Sequence, residues 1–477
     1  MKIQVSLLFI LFALLGSLTA QGQKDKIISY VEAQKDIAIE TADKIWALAE
    51  LGYQENESTM LLQGVLKDAG FNVQSSVAGI PTAFVAEYGS GKPVIGILAE
   101  FDALPGISQD AVPTKQKREN QENGHACGHH LFGSASSNAA VAVKKWLENS
   151  GQSGTIRVYG TPAEEGGAGK VYLVREGMFD DVDVVLHWHP GDGNTASAGS
   201  SLANKSAKFR FHGRATHAAG APHRGRSGLD GVEAMNYMVN LMREHVTQES
   251  RIHYVITRGG EAPNVVPAFA EVYYYIRHPE MAEVKAMFER VVKAAEGAAM
   301  GTGTTMDYEV IHGIYNLLPN AAISRVMYDN LKKVGGVAYT EEEKSFAHTI
   351  ISTFQNTDAK PEDAIKIDPF TVTTRGRGGS TDVGDVSWMV PTAGLRAATW
   401  VPGTSAHSWQ AVAAGGMSIG HKGMMVAAKT LALTAYDLFN NPEVIKKGWS
   451  ELIERRGEGF EYEALLGDRP PPLDYRN

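Results

Sequence analysis

Four apolar runs in this chain stop on polar residues, with helical patterns between them. "PVIGILAE" runs into "FDALPG", which sets Asp102 just past a strand. "TIRVYGTP" runs into "AEEGGAG", so Glu164 and Glu165 precede the helical "KVYLVREGMF". "DVDVVL" leads to "HWHP" with His187 and His189, and "AGLRAATW" leads to "VPGTSAHSW" with His407. "STMLLQGVLKDAG" and "SIGHKGMMVAAKTLALTAYDLF" carry apolar residues at helical spacing. Strands alternating with helices require a largely parallel or mixed sheet covered on both faces. Such sheets bind ligands beyond the carboxyl ends of their strands, where all these polar clusters fall.

From about Asn204 to Pro319 the alternation breaks. Strand "AKFRFHG", helix "GLDGVEAMNYMVNLMREHV", strands "RIHYVIT" and "AEVYYYIR", helix "EMAEVKAMFERVVKAAEGA" and strand "TTMDYEVIHG" follow in turn. That is the β-α-β-β-α-β order of a ferredoxin-like unit. The expected organisation is a signal peptide over 1–22, a catalytic domain in two segments, 25–203 and 320–450, and an inserted domain over 204–319. A tail over 451–477 follows, and its proline-rich "GDRPPPLDYRN" predicts a loose end.

The N-terminus reads Lys2, then "VSLLFILFALLGSLTA", then "QGQKDK". A basic start, a short apolar run and small residues form the signal-peptide pattern, with cleavage expected between Ala20 and Gln23. The run is shorter than the roughly 20 residues a membrane span needs, and no later stretch is long and apolar enough. The expectation is an exported protein, periplasmic or secreted. A net charge of −9 argues against a nucleic-acid surface, and a single cysteine excludes an intramolecular disulfide.

That cysteine, Cys127, stands in "ENGHACGHHLFG" with His125 and His129 two residues away on either side. The glycines around it do not read as core. Together with the strand-end groups, the metal-capable set is Cys127, His129, Glu165, His187 and His407. These donors suit Zn, Mn or Co. Five ligands exceed what one tetrahedral catalytic ion takes and suit two ions sharing a bridging group, which a thiolate can be. His189 competes with His187, since residues two apart on a strand share a face. Glu164 and Glu165 point apart, so one can bind metal while the other takes a proton from water.

"GHACGHHLFG", "GTPAEEGG", the strand-end histidines and "GTSAHSW" resemble the co-catalytic metallopeptidase family of carboxypeptidases, aminoacylases and amidohydrolases. "RATHAAGAPHRGRSGLD", "NVVPAFAEVYYYIR", "STDVGDVSW" and "HKGMMVAAKT" extend the likeness from about Ile27 to Pro442 in matching order. The resemblance implies a mixed-sheet α/β catalytic domain of the di-metal aminopeptidase/carboxypeptidase type, with the ferredoxin-like insert as lid and dimerisation domain. It implies two divalent ions, Zn or Mn, with Cys127 bridging and His129, Glu165, His187 and His407 as the other ligands. His187 is preferred to His189 because it stands three residues before Pro190. Glu164 becomes the general base and Asp102 orients the site. His130 departs from the amidohydrolase branch, which has Asp there. In the insert, His217 resembles a histidine that reaches the partner subunit's site and polarises the scissile carbonyl. Asn264 and Arg277, thirteen residues apart across a hairpin-like pair, resemble the groups that hold a free carboxylate. The implied activity is hydrolysis of an amide joining an acyl or aryl group to an amino acid, glutamate foremost. A dipeptidase or general N-acyl-amino-acid hydrolase is the alternative, and a non-catalytic ligand-binding homologue is a third reading. The implied assembly is a homodimer or a heteromer with a related subunit.

Overall fold

The computed structural model describes residues 22–376 and 378–476, so the signal-peptide reading of the N-terminus lies outside the described residues except at Gly22. Strands β1 (Asn72–Ser75), β2 (Phe84–Ser90), β3 (Val94–Ala99), β4 (Gly154–Gly160) and β5 (Val184–Gly191) precede β6 (Ala203–His212), β7 (Arg251–Arg258), β8 (Phe269–His278) and β9 (Thr305–Ile314). Strand β10 (Thr392–Ala398) then returns to the first group. A six-stranded mixed sheet has the order β1-β2-β4-β3-β5-β10. Its strands β4, β3, β5 and β10 are mutually parallel, so their carboxyl ends share one edge.

Every residue of β3 is buried, as expected for a strand covered on both faces. The helix His129–Ser150 packs on β3, β4 and β5, and the helix Ser418–Asn440 packs on that helix, β5 and β10. Both are rich in Ala, Gly and other small or apolar residues on nearly all sides, which suits helices buried within a core. Among the described residues, no helix is long and apolar enough to cross a membrane.

The second sheet, β7-β8-β6-β9, is antiparallel throughout. Helices Gly228–Met242 and Met281–Thr302 pack on it around a separate apolar core that includes Phe209, Phe211, Val272 and Val291. The β-α-β-β-α-β order read from the sequence is the order found.

Two local features differ from expectation. Strand β5 does not stop at Leu186, because β10 pairs with it continuously from Thr392↔Val185 to Ala398↔Gly191. His187 and His189 therefore lie within the strand. The C-terminal stretch is packed, with Leu465 and Leu466 only 3% and 4% exposed.

Candidate metal centre

The turn after β3 carries Glu100 and Asp102, both buried. Opposite them, Gly128 (φ +77°) opens the helix that begins at His129, and a Cβ on Gly128 would lie 2.6 Å from Pro190 Cβ. Only glycine lets the Cys127–Gly128 turn pass this close to the end of β5. Asp102 joins two parts of the site. Its Oδ1 lies 2.8 Å from His129 Nδ1, and its Oδ2 accepts a hydrogen bond from Glu165 N at 2.9 Å. This fixes the His129 ring with Nε2 turned toward Glu100 Oε2.

Three groups of donor atoms form here, each with all atoms within 4.8 Å of one another: Cys127, His129 and His189; Cys127, Glu165 and His407; His129, Glu164 and Glu165. Cys127 belongs to the first two. Its Sγ is 3.3 Å from His189 Nε2, and His407 Nε2 is 3.0 Å from Glu165 Oε1. His407 holds a left-handed φ of +59° while its N–H donates to the Ala126 carbonyl. Ala163 and Ala168, at +57° each, bracket the Glu164–Glu165 turn. Such conformations cost non-glycine residues about 1–3 kcal/mol each and persist where the surroundings impose them.

The donor set fits cations on two further grounds. His129 Nε2, Glu165 Oε1 and Glu100 Oε2 are buried polar atoms without hydrogen-bond partners, and native interiors rarely leave such atoms unsatisfied. His129 Nε2 lies 3.1 Å from Glu100 Oε2, close enough for an ion pair but without hydrogen-bond geometry. Charge makes the same point. Glu100, Asp102 and Asp382 are buried and Glu164 and Glu165 are partly so, while one buried lysine faces them. Lys170 Nζ reaches Glu100 at 2.7 Å and Asp382 at 2.6 Å. Uncompensated buried charge is costly, and divalent ions supply the missing positive charge.

Burial, then the carboxylates of Glu100, Glu165 and Asp382, hold the Glu164 carboxyl well above the usual range. Burial would also raise Asp102, but His129 outweighs it and draws that carboxyl down. Burial pushes the Cys127 thiol up. A bound cation inverts this, since a coordinating thiol gives up its proton.

His187 is corrected by the structure. Its ring packs over β10, where a Cβ on Gly394 would lie 2.2 Å from His187 Nε2, and it joins none of the donor groups. His189 stands two residues further along the same face, about 6.6 Å nearer the carboxyl end. Its Nδ1 lies 2.7 Å from the Pro190 carbonyl oxygen, which leaves Nε2 for the cluster. His189→Ala is therefore expected to lower the number of ions bound, measured by metal analysis of the purified chain, whereas His187→Ala leaves it unchanged. His130 is also turned away. Its Nε2 lies 3.1 Å from the Gly415 carbonyl and its ring packs on His125, whose Nε2 lies 3.0 Å from the Ile45 carbonyl.

None of His217, Asn264 and Arg277 lines the cavity over the cluster. His217 and Asn264 do meet, on an exposed loop pair where Ala218 N donates to the Asn264 carbonyl and His217 bridges to Val265. The pairing of Asn264 with Arg277 is corrected. Asn264 precedes β8 and Arg277 ends it, so most of a ten-residue strand, about 30 Å, separates them instead of a hairpin. One chain cannot bring both to one carboxylate. Arg277 pairs in register with Asn204 and keeps a buried Nε without a partner.

The cavity measures about 540 Å³. Cys127, Glu164, Glu165, His189 and His407 line it together with His187 and Arg396, the register partner of His189; Ser197, Ser200, Ser201 and Asn320 line it as well. Arg396 has no carboxylate within ion-pair reach among the described residues. Sequence reasoning missed Glu100, Lys170, Asp382 and Arg396. Only Glu100 left a signal, a carboxylate at the same strand end as Asp102.

Residues 96–395 match Peptidase family M20/M25/M40. The chain is 44% identical over 440 residues to one of the named subunits of p-aminobenzoyl-glutamate hydrolase of Escherichia coli, an alignment covering 86% of this chain and 90% of that protein. It is 31% identical over 418 residues to Xaa-Arg dipeptidase of Mus musculus, covering 84% and 85%. Among solved structures, the Bacillus subtilis YxeP protein, described as a dinuclear metal-binding peptidase of the M20 family, superposes with a TM-score of 0.57 at 17% identity, covering 86% of this chain and 99% of that one.

Proposed function

This chain belongs to Peptidase family M20/M25/M40 and is a hydrolase of amide bonds, and from that membership we propose that its strand-end cluster binds two divalent ions and cleaves aryl-acyl amino acids of the p-aminobenzoyl-glutamate type. The observation that carries the reading is the pair of donor groups sharing Cys127. His129 and His189 complete one group; Glu165 and His407 complete the other. Zn or Mn suits these N, O and S donors. When bound, the ions supply Lewis acidity and a water acidic enough to lose its proton near neutral pH.

Glu164 would take a proton from the attacking water as the water oxygen adds to the amide carbonyl carbon, and deliver it to the nitrogen as the C–N bond breaks, leaving a carboxylic acid and a free amine. Asp102 keeps His129 and Glu165 in register with each other. Beside His189, its register partner on β5, Arg396 offers a guanidinium with no carboxylate partner among the described residues, a fork suited to a carboxylate of glutamate. A cation there does not suit an arginine side chain, which weighs against the specificity named in the dipeptidase relative. Likeness to that relative keeps the second reading alive. Hydrolysis rates on p-aminobenzoyl-glutamate, other acyl-glutamates and dipeptides ending in arginine decide. The acyl-glutamates are expected to be cleaved fastest, and faster cleavage of the arginine dipeptides would replace the first reading with the second.

The insert is proposed to pair two chains. Val255 on the edge strand β7 is 64% exposed, and Tyr237, Met238 and Leu241 are exposed on the helix Gly228–Met242. Edge strands with exposed apolar residues are templates for pairing. In such a pair His217 and Asn264 would serve the partner's site. Mixing His217→Ala chains with Glu164→Ala chains is then expected to restore roughly a quarter of normal activity, because each mixed dimer has one complete site. Subunit exchange is followed by a separate fluorescent label. No recovery in demonstrably mixed dimers would place His217 in its own chain's site or make it merely structural. The E. coli relative is named as a subunit, so assays also include a related second chain. The N-terminal pattern supports export, checked by fractionation and N-terminal sequencing of the mature protein.

A further inference from the structure

The segment that follows the helix Pro442–Arg456 crosses the inserted sheet before it reaches the metal centre. Glu463 pairs with Lys285 at 2.8 Å, and Arg469 donates to the carbonyl oxygens of Val310 and Ile311 on β9. Leu465 lies so close to Gly313 that a Cβ there would be 2.7 Å from its own. Arg175, the last residue of the helix Gly169–Arg175 that follows the Glu164–Glu165 turn, donates to the carbonyls of Gly467 and Arg469 at 3.1 and 2.8 Å. The segment ends with the Tyr475 hydroxyl donating to the Glu165 carbonyl oxygen at 3.1 Å, and the Arg476 guanidinium donating to the same oxygen. Gly52 makes room for this contact, since a Cβ there would lie 2.2 Å from the Tyr475 hydroxyl.

The turn bearing Glu164 and Glu165 is thus held at four points. Glu55 accepts from Ala163 N at 2.8 Å, and Asp102 accepts from Glu165 N at 2.9 Å. The Tyr53 hydroxyl donates to the Gly167 carbonyl at 2.7 Å, and Tyr475 and Arg476 hold the carbonyl of Glu165 itself. Ala163 and Ala168, both left-handed, need such restraint. Three of the four holds come from loops earlier in the chain; the fourth comes from residues some 310 positions away. It fixes the peptide whose side chain sets Oε1 3.0 Å from His407 Nε2 within the cluster.

We propose that the C-terminal strap is a positioning element for the reaction, with Tyr475 and Arg476 setting the Glu165 carboxylate for the ion it shares with Cys127 and His407. This rests on the two-ion reading. The test is calorimetric titration of Mn²⁺ into the chelator-stripped full chain and into its Tyr475→Phe, Arg476→Ala and double variants. The unaltered chain is expected to take up two ions. The double variant is expected to bind one ion as before and the other at least tenfold more weakly, with the thermal unfolding midpoint of the ion-free protein unchanged. Excess Mn²⁺ then restores kcat, and Arg476→Lys, which returns a donor, recovers most of the affinity. A double variant that binds both ions as tightly as the unaltered chain overturns the strap's role. If the double variant fails to fold, Tyr475→Phe, which removes one hydroxyl, carries the same comparison. An unaltered chain that binds fewer than two ions overturns the two-ion reading, and the strap's role with it.

Discussion

Glu164→Gln keeps both ions and loses turnover by roughly 10²–10⁴-fold, the contribution of a positioned proton-transfer group. Glutamine fills the same volume and still accepts a hydrogen bond, but it cannot take a proton from water and return it to the leaving nitrogen. The two donor groups that share Cys127 do not include Glu164, which is why ion content is expected to survive. Glu165→Gln is the control. Glu165 belongs to the group with Cys127 and His407, so that variant loses ion affinity and recovers part of its rate in excess metal. Metal analysis and steady-state kcat, measured on the same preparations, separate the two. If Glu164→Gln lost ions while Glu165→Gln kept them and lost proton transfer, the two roles would be exchanged.

Cys127→Ala has the other large effect. It removes the donor common to both groups, so both ions and the activity are expected to go together. The same residue contributes to a pH dependence together with His129, whose ring is held above its usual range, against burial, by Cys127, Glu100 and Asp102. Burial raises its thiol pKa, so the ion-free chain carries a proton there at neutral pH. Ion uptake displaces that proton, and affinity therefore rises with pH by up to about tenfold per unit for each proton released. Calorimetry of Mn²⁺ binding in two buffers of different protonation enthalpy reads the release directly. A Cys127→Ala chain with full ion content, or the absence of any proton release on uptake by the unaltered chain, would remove the thiolate from the site.

The convergence of Cys127, His129, Glu165 and His407 was legible because parallel strands deliver their carboxyl ends to one edge, whatever the details of packing. The choice between His187 and His189 was not legible. Both share a face by the strand's period of two, and the pleat that meets Cys127 depends on the register of β5 with β10, some 200 residues apart. Asn264 and Arg277 misled for a similar reason, since β8 begins after Asn264 and puts its own length between them. Lys170, Glu100 and Asp382 lie far apart in the chain, and no local pattern announces a buried charge cluster built across such distances. The strap was the least visible. Its prolines and polar residues read as a free end, and several of its anchors are main-chain carbonyls of Glu165, Val310 and Ile311, which leave no trace in side-chain periodicity.

Stepwise reconstitution separates a two-ion centre from a one-ion or ion-free one. The chelator-stripped chain is titrated with Mn²⁺ while hydrolysis of p-aminobenzoyl-glutamate and bound metal are followed together. No turnover is expected without ions, and a rise that levels off at about two ions per chain. Turnover that persists in the stripped chain, or that is complete at one ion, would contradict the two-ion centre.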